Sequence, residues 1–337
     1  MKPITNYCLT KGVVNAMSME QATGLQAKKP NKRSFLTKLV QYKTLLLMCA
    51  PAMLLVFVFS YIPMPGLYIA FTNFKFNLGI AGSPFIGFDN FRFLWLSGDL
   101  VRLMRNTVLY NLAFIFIGNF VNLFVAILLN EVRNRYFRKV SQTIMLMPTF
   151  ISYVLVGLFV YSFLNFDYGL INNLIRSSGG TPFSFYNAES ADFWPAIIIF
   201  VSIWKGTGYG TIIYFAAIMG IDAEMFEAAH IDGASTLQRI MYIMIPNLRR
   251  TFIIVVLLAM GRIMRGNFEI FFQLVRNNAL LLPKTDIIET YVWRAMMTNF
   301  NFATGSAVSL FQSVFGFIFV FIFNKLVKMY DPETALF

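Results

Sequence analysis

The chain has 337 residues, of which 57% are hydrophobic and 13% charged, with a mean hydropathy of +0.62. No soluble domain needs that much apolar surface, so a soluble enzyme is excluded and the class is an all-α polytopic membrane protein. The net charge of +12 does not mark a nucleic-acid binder, because the basic residues sit in short segments flanking apolar runs and form no single stripe.

Residues 1–43 are polar and basic, with Lys28, Lys29, Lys32 and Arg33 ahead of the first apolar run. No small-residue cleavage site closes that run, so the tail reads as a cytoplasmic extension, disordered at least to Lys29. Cys8 in the tail and Cys49 in the run offer neither a disulfide nor a metal site. Six apolar runs follow at 44–62, 108–129, 143–164, 195–219, 251–272 and 306–324. Each is near the roughly 20 residues a membrane helix needs. With the N-terminus inside, the inner segments 1–43, 130–142, 220–250 and the end after 324 hold 17 Lys and Arg, against 8 in the outer segments 63–107, 165–194 and 273–305. The positive-inside rule therefore predicts cytoplasmic termini. Pro51 is expected to kink the first span, and the aromatics of 63–107 (Phe71, Phe88 and Trp95 among them) to lie at the outer headgroup level.

Asn111, Gly118, Asn119 and Asn122 make a polar face on the second span, read as interhelical hydrogen bonding with pore lining as the alternative. Gly206-Thr207-Gly208-Tyr209-Gly210 has no strand before it, so it is no phosphate loop; Gly206 and Gly210 read as a close-packing notch. Lys205, also in the fourth span, and Arg262 and Arg265 in the fifth lie at membrane depth, with Glu269 one turn beyond Arg265. A charge there costs about 2.5–3.5 kcal/mol on insertion scales, so such residues are functional candidates. On a continuous helix Arg265 and Glu269 can pair, leaving one positive charge for a wet cavity. Two readings stand: a cationic wall of a translocation path including Tyr209, or a satisfied network in which Lys205 bonds backbone carbonyls.

Between the fourth and fifth runs lie about thirty residues too polar to cross a bilayer, including Asp222, Glu224, Glu227, Asp232, Arg239, Arg249 and Arg250. Met225, Phe226, Ala229, then Leu237, Ile240, Met241 and Met244 recur at helical spacing, predicting two short amphipathic helices that reverse at Gly233. His230 has no Ser or Cys partner, and no Gly-Lys dipeptide occurs, so the chain carries no ATPase loop and no hydrolytic site.

Glu227-Ala228-Ala229 and Gly233, then nine residues to Ile243-Met244-Ile245-Pro246, resembles the cytoplasmic signature of ABC importer permease subunits, with Ile245 where Leu is more usual. Trp204-Lys205-Gly206, "NEVRNRYFRKVSQTIMLMP", "DIIETYVWRAMM" and "FATGSAVSLFQSVFGFIFVFIFNKLVKM" are similar to the oligosaccharide branch of those permeases, the LplB-like and maltose-permease-related group, over about residues 40–337. The resemblance implies a type I importer domain over 44–337 in a bacterial inner membrane, a transport subunit and not an enzyme. Its implied partners are a second homologous permease, a dimer of ABC ATPases that carries the ATP and magnesium, an extracytoplasmic solute-binding protein, an oligosaccharide and membrane lipid. Glu227, Ala228, Ala229, Asp232, Gly233 and Ala234 would dock to the ATPase as a coupling helix. Arg262 and Arg265 depart from the neutral residues expected in this branch and suggest an acidic sugar such as an alginate, pectin or glycosaminoglycan fragment. The competing classes are a permease for a non-sugar solute, an ion-gradient transporter or channel, which leaves the 220–250 hairpin without a task, and, most remotely, a membrane enzyme.

Overall fold

The computed structural model describes residues 42–330, so the predicted basic tail and the last residues lie outside the described residues. Two units are distinct, one ending at Met64 and one starting at Pro65. In the first, α1 (Lys43–Val56) runs on through a π-turn at Phe57–Tyr61. It has no buried residue, and Pro51 sits within its uninterrupted length.

The second unit is helical, its described residues holding one isolated β-bridge, Thr72 with Phe85. Its principal helices are α2 (Asp99–Glu131), α3 (Arg135–Phe150), α4 (Tyr153–Leu164), α5 (Trp194–Met219), α6 (Ala223–Ile231), α7 (Ile245–Met260), α8 (Phe268–Val275), α9 (Ile288–Trp293) and α10 (Phe302–Tyr330). Across the described residues five helices are long and apolar enough to cross a membrane, and six spans result when α3 and α4 count as one bent at 92°.

Two predicted spans are broken, and each break has a chemical cause. The run at 143–164 is not one rod. Pro148 removes a backbone donor in the last turn of α3, Ile151 and Ser152 are extended, and the Ser152 hydroxyl caps α4 by accepting from Leu155 N at 3.4 Å. The run at 251–272 is likewise not one helix: α7 stops at Met260 and α8 starts after Asn267, whose side chain accepts from Ile270 N at 3.4 Å. Gly261 and Gly266 are the weak helix formers inside that apolar run. The second short helix of the predicted hairpin is not separate either. Thr236–Arg239, a π-turn at Ile240–Met244 and α7 form one span, Thr236–Met260. The π-turn leaves room for Pro246 in the first turn of α7.

In lipid the hydrophobic effect does not drive helices together; close packing does, and small residues permit it. Of the predicted notch, Gly210 stands at a close contact and Gly206 does not, with Gly208 in its place. A Cβ at Gly208 would strike the Met145–Leu146 backbone of α3 and one at Gly210 the Asn122 side chain, while Gly206 faces open space. Gly157 lets α4 meet the Gln273 backbone in the same way. Around these contacts stand three apolar clusters, centred on Trp194 with Phe271, on Leu103 with Val308, and on Tyr214 with Met244. Asn119 accepts from the Tyr214 hydroxyl at 2.9 Å, so the second-span asparagines serve packing.

The three segments predicted to share the outer side meet at one end of the second unit. Asn106 donates to Asp286 O at 3.0 Å, Tyr110 to Lys284 O at 2.9 Å, Lys284 pairs with Asp192 at 2.7 Å, and Asn278 donates to Tyr186 O at 2.8 Å. Asp286 is fully buried there between Arg294, at 2.5 Å, and Arg102, at 3.9 Å. Burial raises its carboxyl pKa, and the two arginines and Thr290 pull the other way. At the opposite end, residues 130–138 and 218–244 line one common groove.

Gly208→Val is expected to separate α3 from α5. Purified protein should melt several degrees lower in an intrinsic-fluorescence scan, whereas Gly206→Ala, facing open space, should melt like the parent.

Candidate functional site

The two breaks are bridged by a single set of polar side chains. Lys205 reaches from α5 into the bend between α3 and α4, where its ammonium donates to Pro148 O at 3.1 Å, Thr149 O at 2.9 Å and Ile151 O. It also lies 4.8 Å from the centre of the Tyr153 ring. Pro148 O also accepts from Ile151 N at 3.2 Å, whereas Thr149 O and Ile151 O lie where the helix is interrupted, and a carbonyl left unbonded in hydrocarbon would cost several kcal/mol. The carbonyl-bonded arrangement considered for Lys205 is therefore the one found, and its three donors are spent on the bend.

From that bend the Tyr153 hydroxyl accepts from Asn267 Nδ2 at 3.1 Å, which joins the break in the third span to the break in the fifth. The fifth-span break, residues 261–267, turns tightly through bonds from Arg262 N to Ala259 O and from Arg265 N to Arg262 O. Its remaining groups are taken by other helices. Asn111 of α2 donates to Ile263 O at 2.8 Å and to Arg265 O at 3.3 Å, and Gln312 of α10 donates to Met264 O. Glu289 of α9 accepts from Gly266 N at 2.7 Å and from Gln312 Nε2 at 2.6 Å. Its second oxygen, Oε2, is buried with no hydrogen-bond partner among the described residues, beside Gly266, where a Cβ would fall on it and on Ile287.

The clamped loop holds up exposed polar side chains: Arg262, Arg265, Asn267 and Glu269 are all on the surface of the unit. Neither guanidinium makes a hydrogen bond or ion pair among the described residues. The expected Arg265–Glu269 pair is not formed, because 265 and 269 lie on either side of the Asn267 cap and do not share one helix. Arg265 instead acts electrostatically on Glu289, and Glu269 on Lys205 and Tyr153. Tyr209 is exposed on α5, and no hydrogen bond or ring contact among the described residues joins it to this group. Tyr153, Asn267, Glu289 and Gln312 were not singled out from the sequence, although a glutamine inside the sixth apolar run was a visible signal.

The second site is the hairpin. Asp222 caps α6 by accepting from Glu224 N at 3.1 Å. The helix ends with Ala234 N bonded to Ala229 O at 2.9 Å and Gly233 at φ +73°, a left-handed closure that glycine adopts freely. Ser235 and Gln238 then form a capping box that starts the next helix with no slack. Glu227, Ala228, Asp232 and Gly233 are exposed, with Ala229 and Ala234 half-buried. Phe226 packs inward, while Met225, Ile231 (85% exposed), Leu237 and Tyr242 (78% exposed) point away from the bundle. His230 is exposed.

Residues 118–334 match the family described as "Binding-protein-dependent transport system inner membrane component". Protein LplB of Bacillus subtilis (strain 168) is 35% identical over 300 residues, covering 89% of this chain and 93% of its own. The polygalacturonan/rhamnogalacturonan transport system permease protein YteP of the same organism is 35% identical over 309 residues, covering 91% and 94%. Among solved structures, a bacterial ABC transporter involved in the import of the acidic polysaccharide alginate matches with a TM-score of 0.78 at 28% identity, over 88% of this chain and 99% of that one. The same kind of transporter in complex with an alginate pentasaccharide-bound periplasmic protein matches at 0.77. The chain belongs to the family of binding-protein-dependent ABC importer permeases. It is a membrane transport subunit, not an enzyme.

Gly266→Ala should drive a methyl group into Glu289 and Ile287 and loosen the clamp. Substrate uptake by the assembled transporter should fall by about tenfold or more, with a lower melting temperature, while Gly118→Ala, in open space, changes neither.

Proposed function

We propose that this permease imports acidic oligosaccharides, using the exposed guanidiniums of Arg262 and Arg265 as its anion-selective elements. The observation that carries this reading is their placement on a non-helical loop in the middle of a predicted span, with the loop's own backbone bonded elsewhere. Discontinuous spans of this kind are where transporters place substrate groups, and planar guanidiniums match carboxylates with two parallel hydrogen bonds. The relatives support it: one is a polygalacturonan/rhamnogalacturonan permease, and the solved structures are of alginate ABC transporters, one of them in complex with an alginate pentasaccharide-bound periplasmic protein. Glu269 would accept sugar hydroxyls beside the arginines. Lys205 holds the bend from behind, and Tyr209 would serve the path only at another depth.

In the same reading the chain pairs with a second permease, receives cargo from an extracytoplasmic binding protein, and is driven by two ATPase subunits that hold the ATP and magnesium. The hairpin would dock to the ATPase through Glu227–Ala234 and the exposed Met225, Ile231, Leu237 and Tyr242. The Gly233 closure and the capping box make it short and stiff, which a lever requires. Both termini would be cytoplasmic. An ion-gradient transporter offers no such use for an apolar-tipped hairpin.

Uptake measured in the whole transporter should fall at least about tenfold for uronate oligosaccharides in Arg262→Ala/Arg265→Ala, with neutral oligosaccharides little affected. Equal losses for both classes would refute charge-based selection. Gly233→Pro should abolish co-purification of the ATPase while leaving the permease in the membrane; retention of the ATPase would move the docking surface elsewhere. With Cys8 and Cys49 replaced by serine, His230→Cys should resist a membrane-impermeant thiol reagent applied to intact cells.

A further inference from the structure

Beneath the base of the hairpin, residues from α2, α3, α5 and α6 enclose an open groove of about 810 Å³. Arg133, Arg135, Arg138 and Arg239 line it, and Glu131 is the one acidic side chain among its lining residues. Glu131 is already engaged by Arg239 at 3.8 Å. Arg138 stacks over Phe215 at 5.7 Å, a contact that leaves its charge uncancelled. Arg133 and Arg135 are exposed and make no ion pair among the described residues, and the first turn of α3 holds no acid. Four cations against one carboxylate leave a surplus of three in a concave site. A positive-inside bias accounts for basic residues on this side of the membrane, but any scattered placement would satisfy it.

Tyr136 (78% exposed) and Phe137 follow directly on the arginines. Aromatic rings next to cations at the end of a span mark the headgroup level of the bilayer. We propose that the groove binds the phosphodiester headgroup of an anionic phospholipid, with Arg133, Arg135 and Arg138 as the phosphate-binding residues. Guanidiniums pair with phosphate oxygens two at a time, and a basic pocket between spans is suited to that class of lipid. The ATPase is the poorer occupant, because the exposed apolar side chains offered to it, Met225, Ile231, Leu237 and Tyr242, point away from the bundle, whereas this groove is recessed at the hairpin's root and lined by arginines. Phe226 of α6 lines the groove, so the lipid would brace the hairpin's root and set how firmly it follows the ATPase. This inference rests on the cytoplasmic placement of the hairpin, which the His230→Cys labelling tests on its own.

The test uses the complete transporter in nanodiscs of dioleoylphosphatidylcholine containing a minor fraction of dioleoylphosphatidylglycerol. After transfer to mild detergent, phosphatidylglycerol retained per complex is measured by native mass spectrometry, and ATPase rate is measured in parallel. Arg133→Gln/Arg135→Gln/Arg138→Gln should retain about tenfold less of the anionic lipid or lower still. The corresponding triple lysine variant should recover retention, and Lys325→Gln/Lys328→Gln, at the end of the last span, should behave as the parent. Anionic lipid should raise the parent's ATPase rate and leave the glutamine variant unmoved. Unchanged retention in the glutamine variant, an equal loss in the Lys325/Lys328 control, or displacement of the lipid by inorganic phosphate alone would overturn the proposal. So would loss of ATPase subunits from the glutamine variant in detergent without anionic lipid, since the groove would then be a protein contact.

Discussion

A peptide group cannot stay unbonded in hydrocarbon, and this constraint organises the second unit of the chain. Two of its spans are interrupted, and each interruption exists because side chains from other helices replace the lost backbone partners. Lys205 does this for the bend between α3 and α4, while Asn111, Gln312 and Glu289 do it for the loop at 261–267. The polar residues within the apolar runs are thus mainly structural substitutes for turns of helix. That arrangement frees Arg262, Arg265 and Glu269, which have no such duty, to face outward.

The same constraint explains what could be read from the chain without coordinates. The all-helical membrane class, the first hairpin helix and the reversal at Gly233 were legible because hydropathy runs and helical spacing report them directly, and the left-handed φ of +73° is what that glycine supplies. The second hairpin helix merged into the span Thr236–Met260 because its apolar spacing runs on without a break. The broken spans were not legible. Their residues are as apolar as those of intact spans, and a hydropathy run is blind to Pro148 and Gly266, whose effect on the backbone is local. Pairing Arg265 with Glu269 failed for the same reason, since four-residue spacing has meaning only where the helix is continuous. Lys205 was visible as a charge out of place, but its role depended on carbonyls of residues 148–151, distant in sequence. The notch moved from Gly206 to Gly208 because apolar composition does not fix which face of a helix looks inward.

At the two ends of the second unit the chemistry differs in kind. One end is tied by directional bonds around the buried Asp286, with Arg102, Arg294 and Asn106 on it. The other end is held by apolar packing around Tyr214 and Met244 and carries the hairpin and the arginine-lined groove. Directional bonds resist sliding, whereas packed apolar faces allow small shifts of one helix along another. Motion imposed at the hairpin end therefore meets less resistance there than at the Asp286 end.

Among the described residues, the bond from Asn267 to the Tyr153 hydroxyl is the one side-chain hydrogen bond between the two interruptions. A neutral hydrogen bond is worth only about 1 kcal/mol net, close to thermal energy. Two crooked rods fastened by so weak a stitch can part and re-form many times in each cycle without a large barrier. A charged clasp at the same place would have held the two breaks in a single arrangement.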